Sequence, residues 1–166
     1  MTSAVVVAIG EELAGRIARE VSELLPAQQR SGIIELALSG RGAILVATSI
    51  DDAIAFANEF APEHLLLALA DAEGVAARCR NAGTIFLGLS SSVAFGDYMT
   101  GANHVLPTGG LARSYSGLSV SDFIRWTTVQ SVDARAAASL SDDVAIFAVA
   151  EGLPAHAAAA LQWRSS

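Results

Sequence analysis

Apolar positions along the chain fall into two alternating patterns. Residues 4–9 form a β-branched run closed by Gly10, which reads as a buried strand, and Leu13, Ile17, Val21 and Leu24 then recur at intervals of three and four. That spacing predicts an amphipathic helix. A second helix is predicted over 28–38, with Gly40 and Gly42 suited to a helix stop, and 43–47 is another apolar strand. Ser49-Ile50-Asp51-Asp52 resembles a capping box that opens a helix running through Phe60. Pro62 breaks it. Strand-like 65–69, a short helix over 71–80 and strand-like 84–87 continue the alternation. Residues 88–117 are rich in Gly, Ser and polar residues and lack periodicity, the mark of a functional or disordered loop. A last strand is predicted at 127–132, followed by an alanine-rich tail over 134–160 where Leu140, Val144, Phe147 and Leu153 recur at roughly helical spacing.

Strands alternating with helices predict an α/β layered domain with a largely parallel sheet. With 166 residues, 52% of them hydrophobic, and a mean hydropathy of +0.46, the chain suffices for one sizeable core and not for two full domains. The net charge is −7, with ten arginines scattered singly and no lysine, so no basic stripe is available to neutralise a phosphate backbone. Nucleic acid is therefore not an expected partner. Cys79 is the single cysteine, which rules out an intrachain disulfide and a CxxC pattern. A reducing cytoplasm suits it. The opening MTSAVVVAIGEEL lacks a basic region before its apolar run, and no stretch reaches the ~20 apolar residues of a bilayer span. Neither secretion nor membrane insertion is expected.

Polar residues with chemical potential cluster at the edges of the periodic segments. Glu63 and His64 follow Ala61-Pro62, between a predicted helix and a predicted strand. A carboxylate beside an imidazole can supply two proton-transfer groups, one to activate water and one to take a hydroxyl proton; the plainer alternative is a surface pair. Asp97, Asn103 and His104 lie in a glycine-rich stretch. They offer a hard oxygen ligand and hydrogen-bonding groups for a small polar substrate, or else an ordinary capped turn. Glu151 and His156 stand out in the bland tail, though a solvated helix face broken by Gly152 and Pro154 would account for them equally. No HExxH motif joins the three histidines, so any metal site must be assembled from distant segments.

Taken together, FAPEHL at 60–65, NAGTIFLG at 81–88, GDYMTGANHVLPT at 96–108, GLSVSDFIRWTTVQ at 117–130 and EGLPAH at 151–156 resemble the motifs of histidinol dehydrogenase, in order and in spacing. The resemblance covers nearly the whole chain and corresponds to the carboxyl-terminal part of that family. It implies an incomplete Rossmann-like α/β portion over 1–118, then a strand and helical tail over 119–166 exchanged between subunits of a homodimer. The activity it implies is a zinc-dependent, two-step oxidation of L-histidinol to L-histidine through a bound aldehyde, using two NAD. His64 would take the hydroxyl proton and also contact substrate, while Glu63 would activate water. Asp97 and His156 would be zinc ligands at the substrate site, and His104 and Glu151 would hold the substrate's polar groups. Two further zinc ligands, a Gln and a His, and most NAD contacts belong to the family's amino-terminal part. No GxGxxG occurs here, and Ser92 stands where a proline is usual. A partner supplying the amino-terminal part is therefore expected. Two alternatives are a non-catalytic interaction module derived from the family, and a paralogue oxidising another amino alcohol or a diol.

Overall fold

The computed structural model describes residues 3–164, in two compact units, Met1–Phe123 and Ile124–Ser166. In the first unit the order is β1 (Val5–Ile9), α1 (Glu11–Leu24), α2 (Ser31–Arg41), β2 (Ala43–Ala47), α3 (Ile50–Phe60), β3 (His64–Leu67), α4 (Ala72–Ala76), β4 (Thr84–Leu87) and α5 (Val93–Tyr98). The strands form two parallel pairs, β1 with β2 and β3 with β4. A parallel pair needs a crossover, and helices provide it in both: α1 and α2 in one, α4 in the other. The fold is thus mixed α/β with short parallel sheets and a helical carboxyl-terminal end, as the alternation predicts.

Local chemistry sets the helix boundaries. Ser49 caps α3, its Oγ accepting from the Asp52 amide at 3.1 Å and donating to the Asp52 carboxylate at 2.8 Å. The Thr48 hydroxyl donates to the same carboxylate. These hydroxyl donors hold the Asp52 carboxyl below its ordinary 3.8. At the other end Ala61 adopts the left-handed conformation, φ 50°, and its amide closes onto the Ala57 carbonyl. Pro62 prevents continuation. Among the described residues Ala61 is the one non-glycine with positive φ, and it is almost wholly buried.

The β3–β4 register pairs His64 with Thr84 and Leu66 with Phe86. Because side chains alternate across a pleat, His64, Thr84 and Phe86 share one face and Leu65, Leu67 and Ile85 the other. On the second face Leu67 packs with Ile54 of α3 and Ala72 and Val75 of α4, with Leu65, Ile85 and Cys79 around them. Partial burial here pushes the Cys79 thiol above its usual 9.0, against the opposing pull of Arg78, so it packs against the core with suppressed thiolate character.

In the second unit, α6 (Ala134–Ala150) and α7 (Pro154–Leu161) form a helical hairpin. Asp133 caps α6 by accepting from the Ala136 amide at 2.8 Å, and Gly152, φ 73°, ends it before Pro154 starts α7. Ala145, Ala148 and Ala157 make the contact, small enough to let the helices approach closely.

Three expectations need correction. Residues 127–132 form no strand; they are exposed and lack any ladder partner, and strand-forming side chains without a neighbouring strand gain nothing from extension. The stretch 88–117 is not uniformly irregular, since it contains α5 and a 3₁₀ turn at Leu111–Arg113. The stripe on α1 is apolar as expected, yet Leu13, Val21 and Leu24 remain exposed.

Candidate active site

Glu63 and His64 sit where the chain leaves the left-handed turn at Ala61 and enters β3. Their backbone is fixed by the neighbouring segment: the Gly83 amide donates to the Pro62 carbonyl at 3.0 Å and the Thr84 amide to the Glu63 carbonyl at 2.9 Å. Gly83 permits this approach, because a Cβ there would lie 2.6 Å from the Glu63 oxygen.

His64 is the centre of the arrangement. Its Nδ1 lies 4.0 Å from a Glu63 carboxylate oxygen and its Nε2 lies 3.4 Å from Asp97 Oδ1. The Asp97 approach is not a hydrogen bond, for Nε2 is buried without any hydrogen-bond partner. A buried polar nitrogen left unpaired is uncommon in native proteins and is one signature of a working group. The Phe86 ring backs the imidazole, with centroids 6.0 Å apart and planes tilted by 34°. Gly96 lies against Cε1 and Cζ of that ring; a Cβ at Gly96 would stand 2.5 Å from them. Phe86 thus sets the spacing between the strand bearing His64 and the helix bearing Asp97.

His64, Phe86, Gly96 and Asp97 line a tight recess with Thr84, Ala102, Asn103 and Leu106, too narrow to admit a water molecule. Asn103 Oδ1 accepts from the Val105 amide at 2.7 Å, which is the local turn that the sequence allows.

Of the residues singled out in the sequence, the structure brings Glu63, His64 and Asp97 together and places Asn103 on the recess wall. His104 is exposed and does not line the recess. Glu151 caps the end of α6 and His156 lies in the first turn of α7, both exposed within the second unit. Sequence reasoning missed Thr84 and Phe86 as walls. Their alternation within a strand was visible, but the register that sets them beside His64 was not.

Among the described residues no three His, Cys, Asp or Glu side chains converge as metal ligands. Zinc takes three or four protein ligands, so the donor types of Asp97 and His156 suit zinc while their number does not. Equally, no glycine-rich dinucleotide loop is present in the sequence. No helix among the described residues is long and apolar enough to cross a membrane.

Comparison with known proteins agrees with the motifs. The sequence profile described as histidinol dehydrogenase matches residues 1–164. Histidinol dehydrogenase of Thiocapsa roseopersicina is 46% identical over 145 residues, covering 87% of this chain and 62% of that protein. The enzyme of that name from Thermobifida fusca is 44% identical over 160 residues, covering 96% of this chain and 36% of that protein. A crystal structure of histidinol dehydrogenase from Elizabethkingia anophelis superposes with a TM-score of 0.86 at 35% identity, over 97% of this chain and 37% of that one. The chain therefore spans between about a third and 62% of the length of these relatives. It belongs to the histidinol dehydrogenase family.

Proposed function

We propose that the chain works as the carboxyl-terminal part of an NAD-dependent histidinol dehydrogenase, oxidising L-histidinol to L-histidine in two steps within a larger assembly in the cytoplasm. The observation that carries this reading is the buried, unpartnered Nε2 of His64 beside Asp97, on an imidazole whose Nδ1 faces Glu63. An imidazole nitrogen in that state is available to accept the proton of a substrate hydroxyl. Glu63, about two-fifths exposed, is the group open to water, and it takes the role of activating the water that adds to the aldehyde. Two groups with separate tasks suit two chemically different oxidations. Asp97 steadies the imidazolium that forms once His64 has accepted a proton.

His104, Glu151 and His156 are assigned to substrate contacts in the assembled enzyme, with Asp97 and His156 offering oxygen and nitrogen donors to Zn²⁺. NAD would serve as hydride acceptor, with most of its contacts in the family's amino-terminal part. Because these residues complete neither a zinc cage nor a dinucleotide loop, the chemistry assigned to the chain stops at proton transfer and substrate contact. Exposed Phe147, Ile146 and Val149 on α6 and Leu36 on α2 support association, either as a homodimer or with the amino-terminal part of the family.

The test is to assay the purified chain alone and mixed with the amino-terminal part of a relative. Histidine formation is expected in the mixture, and the His64→Ala chain should lower that rate by roughly 10²- to 10⁴-fold. Turnover by the chain alone at the mixture's rate would overturn the need for an assembly. An unchanged rate with His64→Ala would remove His64 from its role. A mixture that neither binds nor oxidises histidinol would favour an interaction module.

A further inference from the structure

The segment NAGTIFLG contributes Phe86 and Thr84 to the recess, but its first residue has no place in the chemistry described so far. Asn81 lies outside the recess and is tied to the last turn of α3. Its Nδ2 donates to the Asn58 carbonyl at 2.8 Å. Asn58 answers with its own side chain: Oδ1 accepts from the Arg80 amide at 2.6 Å and the Asn81 amide at 3.3 Å, and Nδ2 donates to the Arg78 carbonyl at 3.0 Å. Both lone pairs of Oδ1 and one hydrogen of Nδ2 are thereby used on backbone groups some twenty residues away.

The location of this exchange gives it meaning. The final carbonyls of a helix have no partner within it. In α3 the Ala57 carbonyl is taken by the Ala61 amide, the Asn58 carbonyl by Asn81, and the Glu59 carbonyl by the Arg113 guanidinium. Five residues beyond Asn58 the chain reaches Glu63 and His64; two beyond Asn81 it reaches Gly83 and Thr84, whose amides hold the Pro62 and Glu63 carbonyls. Both strands thus leave the same latch within a few residues, and their parallel register, His64 opposite Thr84, begins immediately after it.

We propose that Asn58 and Asn81 form a reciprocal amide clasp that positions Glu63 and His64, making both asparagines positioning residues for the proton-transfer pair. The inference rests on the reading of that pair given above. Displacement of a reacting group by about 1 Å can cost on the order of 100-fold in rate, so a latch that fixes the register has a catalytic consequence without touching substrate. Asn is suited to both places because one side chain must donate and accept; Asp keeps the acceptor and Leu keeps neither.

The ring resonances of His64, compared by NMR at one pH between the purified chain and its variants, provide the readout, with His104 and His156 as internal references. In Asn81→Ala and in Asn58→Leu, the His64 resonances should shift while those of the other two histidines stay in place. Asn58→Asp, which retains the acceptor for the Arg80 and Asn81 amides but loses the donor to the Arg78 carbonyl, should move the His64 resonances less than Asn58→Leu does. An unmoved His64 in folded Asn81→Ala overturns the proposal, as do Asn58→Asp resonances displaced as far as those of Asn58→Leu. Unfolding of both Asn81→Ala and Asn58→Leu would assign the clasp a purely architectural role and overturn it too. The readout does not depend on turnover. Failure to oxidise histidinol would sink the functional reading and leave the clasp standing, whereas an unmoved His64 would do the reverse.

Discussion

In the β3–β4 layer the chain closes its own core, with Ile54, Leu67 and Val75 buried from three different elements. In the α6–α7 hairpin the buried residues are Ala145, Ala148, Ala157 and Ser141, while Ile146, Val149 and Phe147 stand 71%, 64% and 67% exposed. The difference is one of side-chain size. Burying an Ile or Leu stabilises by about 1.5–3 kcal/mol and a methyl-sized group by less than about 1, so the layer draws its stability from apolar volume. The hairpin relies on close helix approach, the Asp133 cap and the Arg164–Asp142 ion pair at 2.8 Å. One region is finished by its own sequence. The other carries a large apolar surface suited to the association proposed above.

The comparison can be broken most directly at Ile54. Ile54→Ala should cost about 2–5 kcal/mol, because the layer cannot collapse around the lost volume without moving β3; chemical denaturation of the chain measures it. A loss below about 1 kcal/mol would mean that the layer is no better packed than the hairpin. On the opposite face of the same strands, Gly96→Ala should cost about 1–3 kcal/mol through overpacking against Phe86. The His64 ring resonances should move with it, and unchanged resonances would show that Phe86 does not couple α5 to β3.

For the hairpin the expected effect is smaller. Phe147→Ser should change the stability of the isolated chain by no more than about 0.5 kcal/mol, the usual range for an exposed position. It should weaken association far more, which sedimentation at several concentrations would detect. A large, concentration-independent loss would mean that Phe147 is buried within its own chain.

The smallest effect concerns the start of α3. The folded-state pKa of Asp52 lies below its ordinary 3.8, so its carboxylate adds stability above 3.8, and that stability is lost as pH falls through the lower folded value. Asp52→Asn should remove this part of the acid dependence and leave the rest. Thermal melts of both chains between neutral pH and strong acid would show it, and superimposable acid limbs would contradict it.

Much of the first unit was legible from residue order because its signals are local. The β-branched run ended by Gly10, the Ser49 cap and the Pro62 stop act within a few residues, and each marks a boundary close to its place in the structure. Local signals also misled. Residues 127–132 have strand-like composition, but a strand exists by virtue of a neighbour, and propensity says nothing about whether one is there. The stripe on α1 predicts a buried face by the same logic, and the described residues do not cover it.

The chemistry divides in a similar way. By itself the sequence determined which groups were available: an adjacent carboxylate and imidazole at Glu63 and His64, a second carboxylate at Asp97, and motifs specific enough to indicate the family. Their order along the chain could not say that Asp97 lies 3.4 Å from the His64 nitrogen while His104, seven residues further, stays outside the recess. Only the tertiary structure decided that. The parallel register of β3 and β4 places Thr84 and Phe86 beside His64, and the Gly96 contact with Phe86 brings α5 and its carboxylate to the same face. Residue type is a property of one position, whereas register and helix docking depend on contacts between segments ten or more residues apart, which only the folded chain brings together.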